Sequence, residues 1–142
     1  MPYWRLYYHF VWGTKDREPL IAPQWEASLH NVIAAKASDL TAMVYAVGGT
    51  EDHIHLVVSV PPKTALSTFI GQVKGNSSHF INHELRLDTV FAWQEEYGVT
   101  SFGGKQLDTV VKYAKNQRKH HAEKTIIGVL ERSAQEQKSH NG

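Results

Sequence analysis

Glu51-Asp52-His53-Ile54-His55-Leu56-Val57-Val58-Ser59-Val60 reads as one strand around which the rest of the chain is arranged. Successive side chains of a strand point to opposite faces. Ile54, Leu56, Val58 and Val60 therefore form an unbroken apolar row, the core face, and His53 and His55 stand together on the other face with Val57 and Ser59. Two imidazoles fixed side by side on a rigid strand make half of a metal site, because neutral histidine is the commonest metal ligand and strand spacing sets its geometry. An isolated His-x-His is more often a pair of partly exposed, hydrogen-bonded histidines, so its meaning depends on what else the chain supplies.

Upstream, Tyr3 to Trp12 alternates, with Trp4, Leu6, Tyr8, Phe10 and Trp12 on one face and Arg5, Tyr7, His9 and Val11 on the other, which predicts a strand. His9 falls near the histidine pair if the two strands are neighbours, and is read as a hydrogen-bonded sheet histidine. Gly13 to Pro23 is a loop. Pro23 suits the first turn of a helix, and Trp25, Leu29, Val32, Ile33, Ala37 and Leu40 then recur at helical spacing. Thr41 to Val47 is a second strand, and Gly48-Gly49-Thr50-Glu51-Asp52 the turn into the histidine strand.

Downstream, Pro61-Pro62 ends that strand, since proline cannot donate to a ladder. Thr64 is placed to cap a second long helix whose buried stripe is Leu66, Phe69, Ile70, Val73, Ser77, Phe80 and Ile81. The polar face of this helix is given no role beyond a backbone contact through Lys74. Arg86-Leu87-Asp88 is a break, and Val90 to Trp93 and Gly98 to Phe102 read as short strands. Gly103-Gly104 precedes a third helix with a narrow stripe of Leu107, Val110, Val111 and Ala114; Ala122 to Leu130 continues as helix before a polar, frayed end.

Strand, helix, strand, strand, helix, strand is the order of the ferredoxin-like, split βαβ fold, an α+β class shared with RRM-like domains. Two helices then cover one face of an antiparallel sheet. The other face, with the histidines, is left for a site beside a third, tyrosine-bearing helix. The chain divides into a domain at 1–121 and a C-terminal extension at 122–142.

The 142 residues suit one domain with a real core, and 42% hydrophobic and 20% charged residues are close to globular averages. A net charge of +1 makes no bulk case for a nucleic-acid partner, so local clustering must carry it. The absence of cysteine excludes disulfides and thiolate zinc sites. No apolar run approaches the roughly 20 residues that span a bilayer, and Met1-Pro2-Tyr3-Trp4-Arg5 lacks the pattern of a signal peptide. The expectation is a soluble, cytoplasmic protein.

The second half of the site lies on the third helix. Tyr113 and Gln117 are four residues apart, one turn above the other on one face. They sit in the segment from Lys112 to His121, which has no acidic residue, and with Lys105 the cations Lys112, Lys115, Arg118 and Lys119 form a local basic cluster suited to DNA phosphates. Taken alone this segment reads equally well as a solvated basic helix end. Taken with the histidine pair it supplies the parts for phosphodiester transfer through a tyrosyl intermediate. Two imidazoles and the glutamine carbonyl hold a divalent ion, the ion polarises the scissile phosphate, and the tyrosine oxygen attacks. By ligand softness this donor set suits manganese, cobalt, nickel or zinc at least as well as magnesium.

Four segments in this order resemble a known family: Tyr8-His9-Phe10-Val11-Trp12 with Lys15-Asp16-Arg17; Asp52-His53-Ile54-His55-Leu56-Val57; Phe91-Ala92-Trp93-Gln94-Glu95-Glu96-Tyr97-Gly98; and Lys112-Tyr113-Ala114-Lys115-Asn116-Gln117. They are similar to the single-tyrosine transposases of small insertion sequences, members of the HUH endonucleases. The third segment is similar to one found especially in the branch associated with repetitive extragenic palindromes. The resemblance implies Tyr113 as nucleophile, His53, His55 and Gln117 as ligands of Mg2+ or Mn2+, and single-stranded DNA with hairpins as substrate. It also implies a covalent 5′-phosphotyrosine, usually a homodimer, and a prokaryotic cytoplasm with action at the nucleoid.

Gly103-Gly104 is a permissive hinge, so the third helix can complete its own site or a partner's; resemblance to the dimeric relatives favours a tyrosine supplied by the partner subunit, and similarity to the monomeric branch would favour the same chain. The alternatives are a domesticated hairpin-specific single-strand endonuclease, a non-catalytic RRM-like nucleic-acid-binding module, a hydrolytic phosphoesterase without covalent tyrosine, and a dimerisation domain. An RNA recognition motif would need stacking rings where the central strand offers His53, His55, Val57 and Ser59.

Overall fold

The computed structural model describes residues 3–117 and 128–133. Strands β1 (Tyr7–Gly13), β2 (Met43–Gly49), β3 (His53–Ser59) and β4 (Gly98–Phe102) form one antiparallel sheet in the order β2-β3-β1-β4. The helices are α1 (Pro23–Asp39), α2 (Leu66–Phe80), α3 (Leu107–Lys115) and a single turn, α4 (Gly128–Glu131). This is the expected α+β, split βαβ arrangement. Arg118, Lys119, the residue-121 boundary, the start of the helix expected at Ala122 and the polar end lie outside the described residues. Among the described residues no helix is long and apolar enough to cross a membrane.

The core follows the two periodicities. Phe10 and Trp12 of β1 and Ile54, Leu56 and Val58 of β3, each two apart, meet Leu29, Ile33 and Ala37 of α1 and Phe69, Ile70 and Val73 of α2. Proline opens α1, where its missing N–H is no loss. Thr64 does not cap α2. Its N–H is turned back to the Pro61 carbonyl at 3.0 Å, which leaves Ala65 at the cap position with no side chain to offer. A π turn, Ile81–Leu85, then ends at Arg86 in the left-handed region, φ 51°, which is the expected break.

Three strand expectations change. β1 begins at Tyr7 and not at Tyr3, because β4 stops opposite it at Phe102 and β3 stops at Ser59, leaving the earlier residues no strand to pair with. Gly48 and Gly49 belong to β2, paired with His55 and Ile54, so the turn contracts to Thr50–Asp52. Val90 to Trp93 is not a strand, and its one ladder contact is the Thr14–Trp93 bridge. The backbone of Phe91 is instead satisfied by Asn82, whose Oδ1 accepts from the Phe91 N–H at 2.7 Å and whose Nδ2 donates to the Phe91 carbonyl at 2.9 Å.

The aromatic segment is an extension of the core. Trp93 stands edge-on to Trp12 at 5.8 Å and donates from Nε1 to Ser77 Oγ at 3.0 Å. Lys74 makes a backbone contact within the protein: Nζ donates to the carbonyls of Gln94, Glu95 and Glu96 at 2.6, 2.9 and 3.2 Å. Burial lowers its pKa, with Glu95 opposing.

The sheet face expected to be open is covered. Val110 and Ala114 of α3 pack on Ala46 and Val57, and all seven residues of β3 are buried. A stripe of small side chains is enough here because the sheet surface beneath it is also small.

Candidate active site

β3 is central, and it presents His53 and His55 to the underside of α3. His55 lies opposite Val11 on one neighbouring strand and Gly48 on the other. The glycine matters for packing: a methyl group built on Gly48 would overlap the carbonyl oxygen of Ala114, so only a bare backbone lets α3 come this close. That approach sets Tyr113, next to Ala114, edge-on to the His55 ring at 5.8 Å. One turn on, Gln117 Nε2 donates to the Tyr113 carbonyl at 2.9 Å, which aims Gln117 Oε1 at His53 Nε2, 3.2 Å away. His53, His55, Tyr113 and Gln117 are at most 3% exposed. The four side chains singled out by spacing thus meet in one cluster.

A fifth member comes from α4. Glu131 Oε1 lies 3.2 Å from His55 Nε2 and 3.5 Å from His53 Nε2, while the Tyr113 hydroxyl donates to Oε2. One ligand atom each of His53, His55 and Glu131 fall within 4.8 Å of one another. Sequence reasoning missed Glu131, since it lies in the extension, 18 residues beyond the tyrosine, where no periodicity ties it to the sheet.

Each histidine is gripped from behind. His53 Nδ1 is 2.7 Å from Asp52 Oδ1 and 2.9 Å from Thr50 Oγ1, and Arg17 pairs with Asp52 at 3.6 Å. His55 Nδ1 is 2.6 Å from His9 Nε2. His9 is thus the hydrogen-bonded sheet histidine of the sequence reading, and its partner is one of the β3 histidine pair.

Burial lowers the pKa of His9 to about 3, with the nearby His55 adding and Glu131 opposing. At Glu131 burial favours the neutral acid, but hydrogen bonding and charge from His55, the Tyr113 hydroxyl and His53 outweigh it and lower the pKa to about 2. The carboxylate is therefore charged at any ordinary pH.

A divalent cation fits this donor set. With the Nδ1 proton of His53 committed to Asp52, which as a carboxylate can only accept, the Nε2 lone pair converges with Gln117 Oε1 and Glu131 Oε1. Acceptors that converge in this way need positive charge among them, which imidazole protons supply in the metal-free protein and a divalent cation can supply in their place. Lys105, Lys112 and Lys115 are exposed and apart from this cluster. Lys115 and Asn116, with Glu26, His30 and the β2 backbone, line a surface cavity of about 400 Å³.

A family described as "Transposase IS200 like" matches residues 2–117. The transposase of insertion sequence element IS200 from Salmonella typhimurium is 27% identical over 75 residues, 53% of this chain and 49% of the relative. The match therefore spans about half the length of that relative. A crystal structure of a candidate transposase from Deinococcus radiodurans R1 superposes at a TM-score of 0.64 with 21% identity, covering 82% of this chain and 95% of the other. A REP-associated tyrosine transposase bound to a REP hairpin superposes at 0.62 with 16% identity, covering 85% and 74%.

Proposed function

Because the chain belongs to the IS200-like transposase family, we propose that it cleaves and rejoins single-stranded DNA at hairpin ends through a 5′-phosphotyrosine on Tyr113. The observation that carries this reading is the Tyr113 hydroxyl held on Glu131, whose other oxygen faces the histidine pair. Nucleophile and candidate metal group are parts of one cluster. The solved relative bound to a REP hairpin supports the hairpin part of the reading. The homodimer and the action on nucleoid DNA are taken from the family resemblance.

The geometry supports the following roles. The phenolic oxygen of Tyr113 forms a bond to phosphorus, the bond from phosphorus to the 3′ oxygen breaks, the phenolic proton passes to Glu131 and the leaving oxygen takes a proton from water. A carboxylate held near 2 is a weak base for a phenol of ordinary pKa near 10. Glu131 therefore aims the oxygen and takes its proton as the new bond forms. His53, His55, Glu131 and Gln117 would hold a divalent cation, Mg2+ or Mn2+, which when bound would supply Lewis-acid polarisation of the scissile phosphate. Lys112 and Lys115, exposed on α3, with Lys105 before it, bind flanking phosphates; Arg118 and Lys119 extend the same basic run.

The test is a denaturing gel of protein with MnCl2 and labelled single-stranded hairpins. The parent should give a slower-migrating covalent adduct that protease removes, and Tyr113→Phe should give none. Cutting by both proteins at equal rates without an adduct would replace this reading with metal-dependent hydrolysis by water. Cleavage with an adduct but no rejoining would restrict it to a hairpin nuclease.

A further inference from the structure

On the sheet face beneath α3, His9 and His55 are diagonal neighbours, His9 lying opposite Val57 and His55 opposite Val11. Their rings are 4.8 Å apart, Nε2 of His9 is 2.6 Å from Nδ1 of His55, and both side chains are buried. Two ring nitrogens at that distance share one proton, so one ring donates and the other accepts. Which ring donates decides the chemistry of the other end of His55. If His9 donates, a neutral His55 keeps its own proton on Nε2, and the nitrogen that faces Glu131 has no lone pair to give. If His9 accepts, the proton is on Nδ1 of His55 and the Nε2 lone pair is free to bind a cation.

At His53 this choice is made by Asp52, since a carboxylate can only accept. At His55 the Nδ1 end meets another imidazole, which can take either part, while the Nε2 end lies 3.2 Å from the Glu131 carboxylate, which in the metal-free protein accepts a proton from it. We propose that, when a cation takes the place of the proton between His55 Nε2 and Glu131, His9 is the positioning residue that accepts the Nδ1 proton of His55 and so turns His55 Nε2 into a metal ligand. The proposal rests on the metal reading given above. With the His55 ring fully buried, bulk water cannot replace His9 as acceptor. Outer partners of this kind set both the orientation and the basicity of a ligating histidine.

The experiment compares the full-length parent with His9→Phe, which keeps a ring but has no acceptor, and His9→Gln, which offers an amide oxygen. Mn2+ binding is measured by calorimetry without DNA, and the tautomer of His55 by 15N–1H correlation on the 15N-histidine-labelled protein with diamagnetic Mg2+ in excess. His9→Phe should weaken Mn2+ binding by about 10- to 100-fold and move His55 towards the Nε2–H form. His9→Gln should recover most of the affinity and the Nδ1–H form. If His9→Phe does not fold, His9→Gln decides: the Nε2–H form with parental affinity overturns the proposal, as does a folded His9→Phe that binds like the parent. A parent that binds no Mn2+ overturns the metal reading and the proposal together, whereas parental binding with indifferent variants overturns the proposal alone.

Discussion

Burial acts in the same direction on Glu131 and His9, disfavouring charge, yet it leaves the first ionised and the second neutral. Glu131 has the hydrogen bonds of His55 and the Tyr113 hydroxyl and the electrostatic pull of His55 and His53 to reverse the penalty; His9 faces another imidazole, which adds to it. In the metal-free protein this sets an acid-stability profile. The unfolded chain protonates His9 below about 6.5, but the folded chain does so only near 3, so the ring's contribution is complete above 6.5 and drains as pH falls towards 3. Glu131, lowered from 4.5 to about 2, contributes stability above 4.5 that is lost as pH falls towards 2. The two windows overlap between 4.5 and 3, where acid unfolding should be steepest. Each group contributes up to roughly 1.4 kcal/mol per pH unit inside its window. Urea unfolding with chelator from pH 8 to 4 checks this: stability should be flat above neutrality and fall below about 6, with the first part of the fall absent in His9→Phe. A parent curve flat down to pH 4 would contradict it. The same residues mark how far the sequence could be read. His53 with His55, and Tyr113 with Gln117, are linked by local spacing on a strand and a helix, whereas Glu131 is linked to them only through the fold.

At the scale of elements, α1 and α2 were legible because each carries a continuous apolar stripe wide enough to name its face. α3 was legible as a helix but not as a lid. Its few apolar residues suggest loose attachment when seen without the sheet, and the sufficiency of Val110 and Ala114 depends on Ala46, Val57 and Gly48 lying beneath them. For the same reason, removing the histidine side chains opens space under α3 and is not a change on a free surface. Val90 to Trp93 failed as a strand because Asn82, nine residues away from Phe91, satisfies its backbone in place of a neighbouring strand. The docking of α3 can be tested through one atom. Gly48→Ala should push α3 off the sheet, cost roughly 1–3 kcal/mol in overpacking and abolish the tyrosyl adduct by moving Tyr113. Gly71→Ala is the matched control, since a methyl group there meets nothing within 4 Å on an exposed turn of α2. It should raise stability by about 0.5–1 kcal/mol and leave the adduct unchanged. Equal adduct yield from both variants would mean that α3 does not depend on close approach at Gly48.

The whole molecule poses the question of which chain completes which site. Gly103-Gly104 permits a partner's tyrosine and resemblance to the dimeric relatives favours it, yet one chain alone brings Tyr113 and Gln117 to its own histidines and closes them with its own Glu131. Exchange of α3 between two copies would recreate the same contacts, so the contacts themselves do not choose. Effective concentration does. A helix tethered by a short linker sees its own sheet at an effective concentration in the millimolar range, while a partner's sheet competes only at the concentration of protein in solution or within a preformed dimer. Mixing two inactive variants separates the cases. Tyr113→Phe keeps the histidines, and His55→Ala keeps Tyr113, Gln117 and Glu131. If helices were exchanged, one composite site in each mixed dimer would be whole, and the adduct would appear on the His55→Ala chain. For a site built within one chain, the mixture should remain inactive at micromolar protein even after co-refolding, with mixed dimers counted by native mass spectrometry wherever dimers form. An adduct on the His55→Ala chain would show that α3 crosses to the partner and that Gly103-Gly104 acts as the hinge of that exchange.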